Sequence, residues 1–191
     1  MSEKIADAFL EKLVAKIQRI KVGSPDLEDT TFAYLESPQS VQRITALVED
    51  AVSKGATLPV PLQTDGALMH PLIVNGITPE MKLYAEESFG PLATMTTFAT
   101  EEEAVRLAND TAYGLSAAVF TQNINKGLDL AKQIESGICH INGPTVHDEA
   151  QAPFGGSKDS GYGRFGSKSA VNEFTEMRWV TIQTTPRQYP L

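Results

Sequence analysis

The sequence predicts an α/β fold in which a parallel sheet is flanked by helices. Two observations carry that expectation. From residue 92 onward, LATMTTFA, EEEAVRLAN, SAAVFT, NKGLDLAKQIES and ICHIN alternate short apolar strands with helical segments, joined by short connections. Strands separated in this way by helices lie parallel, linked by right-handed crossovers. The second observation is a pair of capped amphipathic helices ahead of the first strand.

Taken in order, the first helix carries Ile5, Phe9, Leu13 and Ile17 at intervals of four residues. Ser2 is a candidate cap, and Gly23 sits where a terminating glycine belongs. The second helix starts at Ser37-Pro38, a capping residue followed by proline at the first helical position. Val41, Ile44, Leu47, Val48 and Ala51 make its apolar stripe, and Gly55 closes it. Residues 57–66 read as proline-bearing loop, and residues 67–77 as one or two strands interrupted by Pro71. Thr100 with Glu103 forms a capping box for EEEAVRLAN. The helix after SAAVFT is expected to end at Gly137. Beyond the loop 143–166 come a helix over 167–176 and a closing strand, RWVTIQT. In that strand Trp179, Thr181 and Gln183 alternate with Val180 and Ile182, which suits a sheet with one covered face.

The 191 residues suffice for a domain with its own core, and 41% apolar with 21% charged residues is ordinary for a globular protein. Lys+Arg of 16 against Asp+Glu of 24 gives a formal charge of −8. An acidic chain without a basic run gains little from a phosphate backbone, so nucleic acid is not an expected partner. No apolar run has membrane-spanning length and no charged-then-apolar leader is present, so the expectation is a soluble, cytoplasmic protein. The lone Cys139 excludes an internal disulfide framework. It lies in ICHIN beside His140, and neighbouring strand residues point to opposite faces, so the two form no thiol–imidazole pair. A buried structural cysteine is expected.

Two motifs invite a ligand. GYGRFG, from Gly161 to Gly166, fits the G-x-G-x-x-G of a dinucleotide cradle. That cradle follows a buried strand directly, whereas here polar Ser157-Lys158-Asp159-Ser160 precede it, and no acidic strand end lies about 20 residues on. A tight loop with positive-φ glycines is the expected form. His147-Asp148-Glu149 are adjacent loop residues with poor metal-ligand geometry, so no metal site is expected.

EESFGP at 86–91, SGICHIN at 136–142 and PFGGSKDSGYGRFG at 153–166 stand in register with the strand–helix repeat. Together they resemble the C-terminal half of the aldehyde dehydrogenase superfamily across almost the whole chain. The run ICHINGPTVHDEAQAPFGG is most similar to the aromatic-aldehyde branch, which handles benzaldehyde, salicylaldehyde and vanillin. The resemblance implies a catalytic-domain portion over 1–176 and an oligomerisation or bridging strand and tail over 177–191. It also implies oxidation of an aldehyde to an acid with NAD or NADP, through a cysteine nucleophile and a glutamate base.

In the family those two residues and the NAD-binding domain lie before the segment that matches this chain. The expectation is therefore no catalytic residue here and no activity from this chain alone. The resemblance implies that Glu87 contacts the nicotinamide ribose, with Phe89 beside it and Glu86 as a solvated neighbour. It puts Phe154 near the substrate mouth, with His147 and Asp148 on the loop that shapes substrate choice. The alternative is a non-catalytic domain that pairs with full-length subunits, and homo-oligomerisation through the C-terminal strand is a further expectation. Two positions depart from the usual pattern. Phe32-Ala33-Tyr34-Leu35 replaces a common Gly-Pro step, and Phe165 stands where glutamate is frequent.

Overall fold

The computed structural model describes residues 1–190, which divide into two compact units, 1–111 and from Ala112 onward. In the first unit a short 3-10 turn over Glu3–Ile5 leads into helix α1, Ala6–Ile17. Ser2 does not cap it. Its backbone instead runs parallel to Phe98, with Glu3 N–H donating to Phe98 O at 3.1 Å. The helix also stops at Ile17, well short of Gly23.

The buried face of α1 is Ala6, with Leu10, Leu13, Val14 and Ile17 partly buried beside it, while Ile5 is 55% and Phe9 42% exposed. A strict four-residue spacing drifts by about 40° per step around a helix of 3.6 residues per turn, so the predicted stripe could not remain on one face.

Helix α2, Pro38–Ser53, follows the sequence reading closely. The Ser37 hydroxyl accepts from Ser40 N–H at 3.2 Å, and Val41, Ile44, Leu47, Val48 and Ala51 are all buried. Gly55 closes the segment with φ +104. Two residues in the predicted loop, Thr64–Asp65, form strand β1, which pairs antiparallel with β2, Leu68–Met69. Pro71 separates β2 from β3, Leu72–Asn75.

Strand β3 organises this unit. Leu72 and Val74 pack with the stripe of α2, and Ile73 points the other way into the cluster built on α1. A strand covered on both faces reads as a continuous apolar run, as LIV does here. The one-turn helix α3, Lys82–Ala85, is tied to α2 by Asp50, whose carboxylate accepts from Lys82 N–H at 2.9 Å. Strand β4, Leu92–Met95, then lies parallel to β3. Helix α4, Glu101–Asn109, starts at the predicted cap: the Thr100 hydroxyl accepts from Glu103 N–H at 3.2 Å. The Glu103 carboxylate reaches back to Ala99 N–H at 2.9 Å.

In the second unit β5, Tyr113–Gly114, precedes β6, Ser116–Val119. Helix α5, Ile124–Ala131, is capped by Asn123 and crosses to β7, Ile138–Ile141, which lies parallel to β6. The helix ends six residues before Gly137, the intervening stretch being turn. A two-residue strand β8, Ser157–Lys158, returns antiparallel to β5, and helix α6 spans Ser167–Glu173. The parallel strands therefore form two separate ladders, β3–β4 and β6–β7, where the sequence suggested one run of pairing from LATMTTFA to ICHIN.

Among the described residues of this chain the predicted closing strand finds no partner. Residues 178–184 carry no strand pairing and are exposed, Trp179 at 90% and Ile182 at 85%. Alternation makes a segment fit for a sheet, but only a partner's N–H and C=O groups make it a strand. Among the described residues no helix is long and apolar enough to cross a membrane.

Candidate functional site

Two regions gather the residues singled out from the sequence, one in each unit. The first is the turn that follows α3. Glu87 and Phe89 both project into solvent there, and Phe89 is 80% exposed with φ +47. A phenylalanine so placed is not core. A left-handed φ on a bulky residue is strained, and it persists only where the surroundings hold it.

Those surroundings come from α2. The Arg43 guanidinium donates through Nη1 to Glu87 O at 3.3 Å and through Nη2 to Ser88 O. Next to Arg43, Ile44 lies against Gly90, where a Cβ would come within 2.4 Å of Ile44 Cδ1. A side chain at position 90 would force the buried Ile44 to shift. The turn borders a groove of about 370 Å³ lined by Leu83, Glu86, Glu87, Ser88, Phe89 and Leu92, with Thr94. A second, of about 350 Å³, has Glu36, Ser40, Arg43, Glu87 and Phe89 on its wall. A carboxylate offers two acceptor oxygens and therefore fits a vicinal diol. An exposed aromatic ring beside it offers an apolar face to a sugar or flat heterocycle. These residues could hold a ligand that carries a vicinal diol beside a flat ring.

The second region is built on β7 and the loop after it. Ile138, His140, His147, Asp148, Pro153 and Phe154 line one groove of about 200 Å³. His147, Asp148 and Phe154 are thus brought together. Glu149 also borders this groove, its carboxylate 3.2 Å from His147 Nε2. His140 was missed as a site residue. Its ring meets that of His147 edge-on with centroids 5.5 Å apart, and its buried Nε2 has no hydrogen-bond partner among the described residues. Strand alternation contained the signal, since Ile138 and His140 share a face opposite Cys139.

Cys139 is half-buried, and burial pushes its thiol above the ordinary value. A thiol in that state carries less thiolate at neutral pH, the reverse of what a nucleophile needs. Among the described residues no group of three or more His, Cys, Asp or Glu side chains could hold a metal ion.

The glycine run closes on itself. Gly161, Gly163 and Gly166 have φ of +121, +81 and +80. Phe154 and Phe165 exchange backbone hydrogen bonds of 2.8 and 2.7 Å. Arg164 Nη1 donates to Gly156 O at 2.8 Å and to Gly163 O at 2.7 Å, while Glu173 accepts from Arg164 N–H at 3.2 Å. The run thereby fastens the segment bearing Phe154 to the start of α6.

Parallel strand pairs with helices packed on them make this an α/β chain. The aldehyde dehydrogenase family matches residues 1–180, and the chain belongs to that family. It is 49% identical over 187 residues to a vanillin dehydrogenase of a Pseudomonas species, covering 98% of this chain and 39% of that protein. It is similar to the crystal structure of a salicylaldehyde dehydrogenase from Pseudomonas putida complexed with salicylaldehyde, with a TM-score of 0.95 and 43% identity. That match covers 100% of this chain and 40% of the other. A betaine aldehyde dehydrogenase from Staphylococcus aureus in complex with NAD+ matches with a TM-score of 0.89 at 32% identity, over 98% of this chain and 39% of that one. The chain thus spans about two fifths of the length of the relatives it matches.

Proposed function

We propose that this chain is a portion of an enzyme that oxidises an aromatic aldehyde to the carboxylic acid with NAD or NADP. The observation that supports the reading is likeness over the whole of this chain and 40% of the other, at 43% identity, to a structure complexed with salicylaldehyde. Glu87 would hold the ribose of the cofactor through its carboxylate, with Phe89 against it. His147, Asp148 and Phe154 would form the wall that meets the aldehyde's ring. Bound NAD or NADP would supply a hydride acceptor for the aldehyde carbon. The oxygen added to the product comes from water, and one proton is released.

This chain's own residues orient the two reactants and supply no nucleophile. Cys139 sits in a strand with its thiol raised by burial and does not take that role. The purified chain is therefore expected to form no NADH from benzaldehyde and NAD. NADH production that disappears in Cys139→Ser would overturn this. A soluble, cytoplasmic setting fits the acidic balance and the single cysteine.

A second reading rests on the exposed, alternating segment from Met177 to Ile182. In that reading the chain pairs through this segment with another aldehyde dehydrogenase subunit, whether a second copy or a full-length relative. Light scattering is expected to give a mass above that of the monomer, and removal of residues 177–191 should return the monomer. An unchanged monomeric mass in both forms, with or without a full-length relative, rules the pairing out.

A further inference from the structure

We propose that Arg43 is the positioning residue for Glu87: its guanidinium fixes the turn that presents the carboxylate, without touching the carboxylate itself. The inference rests on the ribose-binding reading of Glu87. It deepens that reading by naming what sets the geometry.

One planar guanidinium bonds two successive main-chain oxygens, those of Glu87 and Ser88, from 44 and 45 residues away in sequence. Arg is suited to this because its fork offers several donors in fixed directions, whereas a lysine ammonium is a single point. Among the described residues Arg43 forms no ion pair, so its charge is not spent on a surface carboxylate, and Glu87 keeps both oxygens for a ligand.

The same turn is pressed onto α2 one residue further along, at the contact between Ile44 and Gly90. Between these two anchors lies Phe89, with its strained φ of +47. A strained residue at 80% exposure has no packing of its own to hold it. Beside the backbone bonds that fix Gly90 O and Pro91 O at the start of β4, the hydrogen bonds of Arg43 and the contact at Ile44 hold the turn. Ser40 and Arg43 stand one helical turn apart and line the same groove as Glu87 and Phe89, so the clamp lies at the wall of the groove.

Arg43 is exposed on the polar side of α2, and its replacement is not expected to disturb folding, which circular dichroism checks. The test uses the 191-residue chain, nicotinamide mononucleotide as probe, and backbone NMR of Glu87, Ser88, Phe89 and Gly90. In the wild type these amides are expected to be rigid and to shift on titration. In Arg43→Gln the order parameters of Ser88 to Gly90 should fall into the flexible range, below about 0.6, and binding should weaken about tenfold. Arg43→Lys should fall between, since one carbonyl can still be held.

Glu87→Gln separates the two ideas. It should weaken binding while leaving the turn rigid. If Glu87→Gln binds as the wild type does, or if the wild type shows no shift, the ribose reading fails and the proposed role of Arg43 fails with it. If Glu87→Gln loses binding but Arg43→Gln keeps both rigidity and affinity, the positioning role alone is overturned. The same holds if Arg43→Gln loosens the turn without any loss of affinity.

Discussion

Ile44→Ala is expected to destabilise the first unit by about 2–5 kcal/mol, read as a lower urea midpoint for the chain. Ile44 has no exposed surface and stands in the middle of the stripe of α2. Its removal deletes three carbons from a core whose other walls are Met69, Leu72, Val74 and Leu83. Strand β3 is held from its other face by the cluster on α1, so the strand cannot simply move inward to fill the space. The variant also takes away the surface on which Gly90 rests. Increased motion of the turn bearing Glu87 and Phe89 should therefore accompany the loss of stability. A loss below about 1 kcal/mol would mean that α2 and β3 collapse together and that the core is less rigidly built than described.

The second large effect is expected at Gly137, in the second unit. A Cβ placed there would lie 1.8 Å from Gly155 O and 2.8 Å from Gly155 C, both backbone atoms. No rotamer change can relieve an overlap with main chain. Gly137 N–H also donates to Gly114 O at 2.9 Å, and Ile138 N–H to Leu115 O at 3.1 Å, so the backbone at the entry to β7 is held in place. Gly137→Ala should cost about 3 kcal/mol or more, the upper end of overpacking penalties. Because Gly155 follows Phe154, the displaced loop should also shift the NMR signals of Phe154 and His140. Wild-type thermal stability in this variant would show that the strand entry and the glycine loop do not press together as closely as the geometry states.

What could be read from the sequence was what is decided locally. Helices α2 and α4 begin where they were expected because Ser37 and Thr100 bond amides three residues away, a contact set by residue type and spacing alone. Strand β3 was legible as an unbroken apolar run next to a proline. The two-residue strands β1, β5 and β8 were not legible, since each exists only through its partner. The same dependence explains why RWVTIQT has the alternation of a strand and no pairing.

The candidate site divides in the same way. His147, Asp148 and Phe154 fall within eight residues of one another, and family resemblance was enough to group them. His140 joins them through the parity of a strand, and Arg43 reaches Glu87 across 44 residues, a pairing that no local pattern announces.

Trp179 is the only tryptophan in the chain, and it stands 90% exposed in the unpaired tail. Its fluorescence is therefore deaf to the cores around β3 and β7, because indole already meets water before anything unfolds. The same isolation makes it a clean optical reporter of docking: a blue shift in its emission would register burial of the tail and nothing else in the molecule.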